Sequence, residues 1–221
     1  MNSKDLIMNI LQNAQSSDFD DLPNIDLYMD QVTTYLNKKL SFAKRFEDDK
    51  LLTKTMINNY AKSRLLPAPE KKKYSQDHIL ILAMIFFFKN VISINDVNTI
   101  LSPMIQEHFH NEDAPLSDFM NEFLKYTQNN NISEHILSDY KKSVTAFENF
   151  DSEEKEYLQT LALVSMLSYE NFIRKLIIEQ LIDSLPDSLS AKETSSETQS
   201  ANTTKERKTE KKKDSEKKKS K

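Results

Sequence analysis

At 221 residues the chain has room for one or two domains and a core that needs no disulfide or metal support. It contains no cysteine, which excludes disulfides, thiolate catalysis and cysteine zinc sites and fits a reducing, cytoplasmic compartment; it also contains no glycine, which excludes Walker-type and dinucleotide-binding loops and removes the preferred residue of tight hairpin turns. The net charge of −4 is unevenly spread: residues 38–73 hold eleven Lys or Arg against four acids (+7), the stretch from Ala191 holds eleven against six (+5), and the remainder must sum to −16. That asymmetry points to a basic binding surface on an acidic body.

Residues 1–21 read as one short amphipathic helix, with Leu6, Ile7, Ile10 and Leu11 on one side, and then a polar SSDFDD linker. The opening MNSKDLIMNILQNAQ has no extended apolar run and no small-residue cleavage site, so no secretory signal is expected. From Leu22, the residues Ile25, Met29, Val32, Tyr35, Leu36 and Leu40 recur at helical spacing.

Next comes TKTMINNYAKS, residues 53–63, in which Thr53 is placed as an N-cap. At about 100° per residue, Lys54, Thr55, Asn58, Asn59 and Lys62 share one face of this helix and Met56, Ile57, Tyr60 and Ala61 share the other. Amides and lysines are side chains suited to base edges and phosphates, and no Asp or Glu occurs between Lys50 and Pro69. The segment is therefore a candidate recognition helix. Lys54, Lys62, Arg64 and Lys71–Lys73 are expected on phosphates, and Thr55, Asn58 and Asn59 on bases. Tyr60 is either a core aromatic or a phosphate ligand.

Leu65-Leu66-Pro67 ends the helix, and a basic turn, EKKKY, follows. Ser75 is placed to cap a helix running to about Asn90, and Ser93 with Asp96 to cap another ending at Leu101, which Pro103 stops. The run ILILAMIFFF, residues 79–88, covers only about 15 Å as a helix, half of what a bilayer needs, and reads as a buried core helix.

Residues 103–190 look helical, with segments near 117–127, 132–149 and 152–185; the last belongs at the centre of a small bundle or against a second subunit. Residues 191–221, rich in Ser, Thr, Glu and Lys, are expected to be disordered, as a solubilising extension or a source of unspecific attraction to polyanions. In EHFHNED, His108 and His110 are two apart and point to different sides of a helix, so no metal site and no cofactor are assigned. No combination of nucleophile, base and oxyanion donors suggests an enzyme.

Residues 52–101 resemble the DNA-binding domain of MerR-type regulators: a capped helix, a Leu-Leu-Pro exit, a basic segment ending in Tyr-Ser, a helix, and a short Ser-Ile-x-x-Val helix ending in Leu. The longer span from Leu22 to Pro186 is similar to a bacterial domain-of-unknown-function family, DUF family 1836, regarded as MerR-like. The resemblance implies an all-α fold: a MerR-like winged helix-turn-helix at 22–102 with a shortened wing, then a C-terminal helical region at 103–190. It places Thr53 at the recognition-helix cap, Thr55 and Asn58 toward DNA, the Tyr60 hydroxyl near a phosphate, and Lys71–Tyr74 in the wing. It also places Arg64 where the family usually has glycine. The expected function is a regulator that binds double-stranded DNA as a homodimer, with a small-molecule or protein effector and no membrane association. The alternatives are a helical adaptor docking an acidic partner through its basic face, and an excisionase-like factor that bends DNA.

Overall fold

The structure, a computed structural model, describes residues 3–15, 19, 21–128 and 131–186. Its class is all-α, with one minimal sheet. In chain order the elements are α1 (Ser3–Gln15), β1 (Leu27–Tyr28), α2 (Met29–Lys39), a 3-10 turn (Ser41–Ala43), α3 (Lys54–Lys62), β2 (Lys73–Tyr74), α4 (Gln76–Lys89), α5 (Ile94–His108), α6 (Leu116–Gln128), α7 (Ile132–Val144) and α8 (Ser152–Asp183). The stretch expected to be disordered, 191–221, lies outside the described residues.

The core is built on α4, which is buried without interruption from His78 to Phe86. That is the burial expected of a helix apolar on every side. It touches α2, α5, α6 and β2, and the cluster gathers Val32 and Leu36 from α2, Leu40 at its C-cap, Ile57 from α3, Val97 and Leu101 from α5, and Leu116 and Met120 from α6. Among the described residues, no helix is long and apolar enough to cross a membrane.

Three expectations are corrected. The helical pattern from Leu22 does not start a helix there: Ile25 is exposed, and Leu27–Tyr28 form β1, antiparallel to β2 with Leu27 opposite Tyr74 and Tyr28 opposite Lys73. Pro103 does not stop α5, which continues to His108 through the position expected to divide two domains. Proline removes one N–H and costs about 3 kcal/mol in a helix interior. Here Leu101 is buried and Met104 and Ile105 pack on the core, which holds the helix on both sides of the break. Finally, Phe19, inside the expected polar linker, is buried in the core cluster.

The start of α4 is fastened to the α5–α6 loop by a histidine cluster. The His78 Nδ1 accepts the Ser75 backbone N–H at 3.0 Å and lies 2.8 Å from Ser75 Oγ, which also lies 3.0 Å from His110 Nε2. His110, at φ 57°, donates its backbone N–H to Asp77 at 2.7 Å, and its ring stacks on Phe109. His108 turns instead to the Ala114 carbonyl at 2.9 Å, so the two histidines of EHFHNED diverge.

Candidate nucleic-acid interface

The side chains of α3 sort as their spacing requires. Ile57 and Tyr60 are buried, Met56 and Ala61 are half-buried, and Lys54, Thr55, Asn58, Asn59 and Lys62 are exposed. Thr53 is occupied as the cap, its hydroxyl accepting the Met56 N–H at 3.2 Å.

The far end of α3 closes in a left-handed turn with no glycine. Arg64 takes φ 61°, its N–H donates to the Ala61 carbonyl at 3.2 Å, and the Leu65 N–H reaches back to the Tyr60 carbonyl at 3.0 Å. This pair of bonds is the Schellman arrangement, and the buried Tyr60 and Leu65 supply its apolar contact. Local pairing and burial of Leu65 and Leu66 thus hold Arg64 in a conformation that costs a non-glycine residue about 1–2 kcal/mol.

Two side chains that sequence reasoning missed fix the start of α3. Asn37, on α2, donates to the carbonyls of Thr33 and Leu52, both at 2.7 Å, and accepts the N–H groups of Leu51 and Leu52 at 2.9 and 3.3 Å. Lys89, at the end of α4, reaches the Leu51 carbonyl at 3.4 Å and lies over the Phe86 ring, and burial lowers its pKa. Together they pin the long link between α2 and α3 just before the helix. No local signal marks Asn37 for this role, because Leu51 and Leu52 lie fourteen and fifteen residues away.

Beyond α3, residues 70–73 form the tightest hairpin available. Lys73 N–H donates to the Glu70 carbonyl at 2.8 Å, and both central residues are left-handed, Lys71 at φ 48° and Lys72 at φ 67°. Positive φ at both positions is the signature of the type I′ turn, usually supplied by Asn-Gly. Lys71 and Lys72 are exposed at its tip, whereas Lys73 is half-buried with its ammonium 5.5 Å from the Tyr28 ring centroid. Tyr74 is only 3% exposed. Its hydroxyl, like that of Tyr60, has its pKa raised by burial. Of the two roles left open for Tyr60, burial favours the core; Tyr74, expected in the wing, also belongs to the core.

Folding alters the electrostatics that the sequence suggested. Although residues 50–69 hold no acid, Asp30 of α2 forms an ion pair with Lys54, and Glu47, Asp48 and Asp49 line the same cleft as Lys54 and Thr55. Lys44 and Lys50 line that cleft too, so its charge is mixed; Lys62, Arg64, Lys71 and Lys72 are exposed cations outside it.

The class this architecture defines is a small all-α domain with an exposed amphipathic, amide-bearing helix and one two-stranded sheet. Residues 17–123 match the family described as Domain of unknown function (DUF1836), a segment that contains α3, the lysine turn and the core around α4 but not α7 or α8. No curated protein and no solved structure matches the chain.

Proposed function

We propose that the chain is a DNA-binding transcriptional regulator whose segment 22–102 acts as a MerR-like winged helix-turn-helix, with α3 in a major groove and the Lys71–Lys72 tip as a shortened wing on the neighbouring backbone. One observation carries this reading: Thr55, Asn58, Asn59 and Lys62 are all exposed on a helix whose opposite face is buried and whose start is clamped by Asn37 and Lys89. A helix so held offers base-reading groups in a fixed register, as direct readout requires. Lys62, Arg64, Lys71 and Lys72 serve as phosphate contacts; Lys54 must first exchange Asp30 for a phosphate, which reduces its contribution. One such helix reads only a few base pairs, so two copies on paired half-sites are part of the proposal.

Selection of bound fragments from random duplex DNA by the purified chain tests it. An enriched motif with two half-sites supports the reading. The Asp30–Lys54 pair lends some weight to a second reading, an adaptor whose basic edge docks acidic protein surfaces. Salt-sensitive retention of DNA with no enriched motif would replace the regulator with that adaptor.

A further inference from the structure

The outer face of α6 carries two aromatic rings that the described residues leave open to solvent. Phe119 and Tyr126 are 48% and 77% exposed, and at about 100° per residue both lie within roughly 60° of the exposed Glu122, with the exposed Asp118 next to it. The loop before α6 adds Glu112 and Asp113, also exposed. That loop is fixed: the Asn111 side chain accepts the Asp113 N–H at 3.0 Å and the Ala114 N–H at 3.3 Å, and the His108 ring bonds the Ala114 carbonyl at 2.9 Å. Its two acids are therefore held at the entrance to the helix.

The charge here has a single sign. From Asn90 to Leu124 the sequence holds six acids and no Lys or Arg, whereas the cleft beside α3 mixes lysines with acids and α8 carries Lys155, Arg174 and Lys175 among its own. The complement of this face is the end of the same chain: residues 205–221, outside the described residues, hold ten Lys or Arg against four acids, or +6. We propose that this lysine-rich tail docks in cis on the acidic, aromatic face of α6, with lysine stems over Phe119 and Tyr126 and ammonium groups toward Asp118, Glu122 and the loop acids. Glu122 also bonds Lys125 at 3.3 Å, an exposed pair weak enough to exchange for a tail lysine. A docked tail is withheld from polyanions until one of them displaces it.

The tail is long enough to arrive there. Ile178 and Ile182, at the end of α8, share one core cluster with Leu116, Met120 and Phe123 of α6. The eighteen residues 187–204 extend to about 60 Å, and a unit of about 110 residues is only roughly 35 Å across. Tethering holds the lysines near the face at a local concentration on the order of millimolar, which suits a contact built from individually weak charge and ring pairs. The inference does not depend on what α3 binds.

Because the chain has no cysteine, spin labels can be placed at chosen sites in the full-length protein. Labels on Ser220→Cys and Asn121→Cys should give distances mostly below about 25 Å at low salt, and this short component should fall about fivefold near 1 M salt, where the Debye length is about 3 Å. Asp118→Lys with Glu122→Lys, and separately Phe119→Ala with Tyr126→Ala, should each reduce it about threefold. All four side chains are exposed, and circular dichroism checks that the helices persist. Moving the second label from α6 to Asn149→Cys, exposed in the link between α7 and α8, should remove the short component. A large excess of unlabelled chain should leave it unchanged. A short component that is absent, ignores salt, survives both pairs of substitutions or is equally strong at residue 149 overturns the proposal, and one lost on adding unlabelled chain makes the contact intermolecular and overturns it too. A failed DNA selection with the expected distances intact leaves the docking standing and removes only the regulator.

Discussion

The carboxamide of Asn37 grips both polar groups of Leu52, donating to its carbonyl at 2.7 Å and accepting its N–H at 3.3 Å. A side chain on α2 thereby does for the link before α3 what a neighbouring strand does in a sheet. Asn37→Ala leaves the half-buried polar groups of Leu51 and Leu52 without these partners and should cost about 2–3 kcal/mol, read from urea denaturation. A loss below about 0.5 kcal/mol would show that the link holds α3 without the amide.

Arg64 separates stability from binding. In Arg64→Gly the left-handed turn loses its steric cost, partly offset by the greater freedom of glycine in the unfolded chain, so stability should rise by up to about 1 kcal/mol. DNA affinity should fall at the same time, because a cation next to the backbone is lost. Thermal unfolding and gel shift on one sample distinguish the two effects, and a destabilised variant would refute the strain.

The lysine turn permits a cleaner version of the same experiment. Replacing Lys71 and Lys72 by Asn-Gly supplies the residues a type I′ turn prefers and removes two charges. Stability should hold or increase. The slope of log affinity against log salt should become shallower by about 2 if both lysines contact phosphates. A slope unchanged by the exchange would remove the turn from the interface.

Acidification should weaken the fold through His78. Burial, first, and the nearby His110 lower its pKa below 6.5, with the carbonyls of Ala68 and Pro67 and the Asp77 carboxylate opposing the shift; Tyr74 and Phe109 pack against the ring. Because Nδ1 accepts the Ser75 N–H, the neutral ring carries its proton on Nε2, which is buried. The folded state binds this proton more weakly than the unfolded state. The contribution is therefore fully present above about pH 6.5 and is lost as pH falls toward the lowered folded-state value. His78→Gln should flatten the dependence of the urea midpoint on pH between about 7 and 5. An equally steep dependence in the variant would assign it to other groups.

Asn58 lies at the centre of the exposed face of α3. Asn58→Ala should reduce discrimination between the selected site and its single-base variants by roughly 1–3 kcal/mol, while unspecific affinity at low salt changes little. Competition gel shifts measure both. Full discrimination by the variant would exclude Asn58 as a base reader.

What could be read from the sequence was what is decided within a few residues. Thr53 and Ser93 cap α3 and α5 because a cap accepts an N–H three positions on, and at the start of α4 Ser75 donates its own N–H to the His78 side chain three positions on. The two faces of α3 and the full burial of α4 follow from periodicity and apolar content, and the glycine-like position of Arg64 from the family resemblance. Tertiary structure decided the rest. Nothing near Leu27 in sequence announces Tyr74 as its strand partner, and nothing near Leu52 points to Asn37. The acid-free surroundings of Lys54 became an ion pair once α2 brought Asp30 alongside. Pro103 was legible as a stop only while the packing on both sides of it was unknown. For α8 the sequence stated the apolar content but not its coverage: whether such a helix is a bundle centre or an unpaired face depends on what other segments reach, and α5 and α7 reach only part of it. Local hydrogen bonding and spacing belong to the sequence; long-range pairing, burial and the neighbours of each charge exist only once the chain has closed on itself.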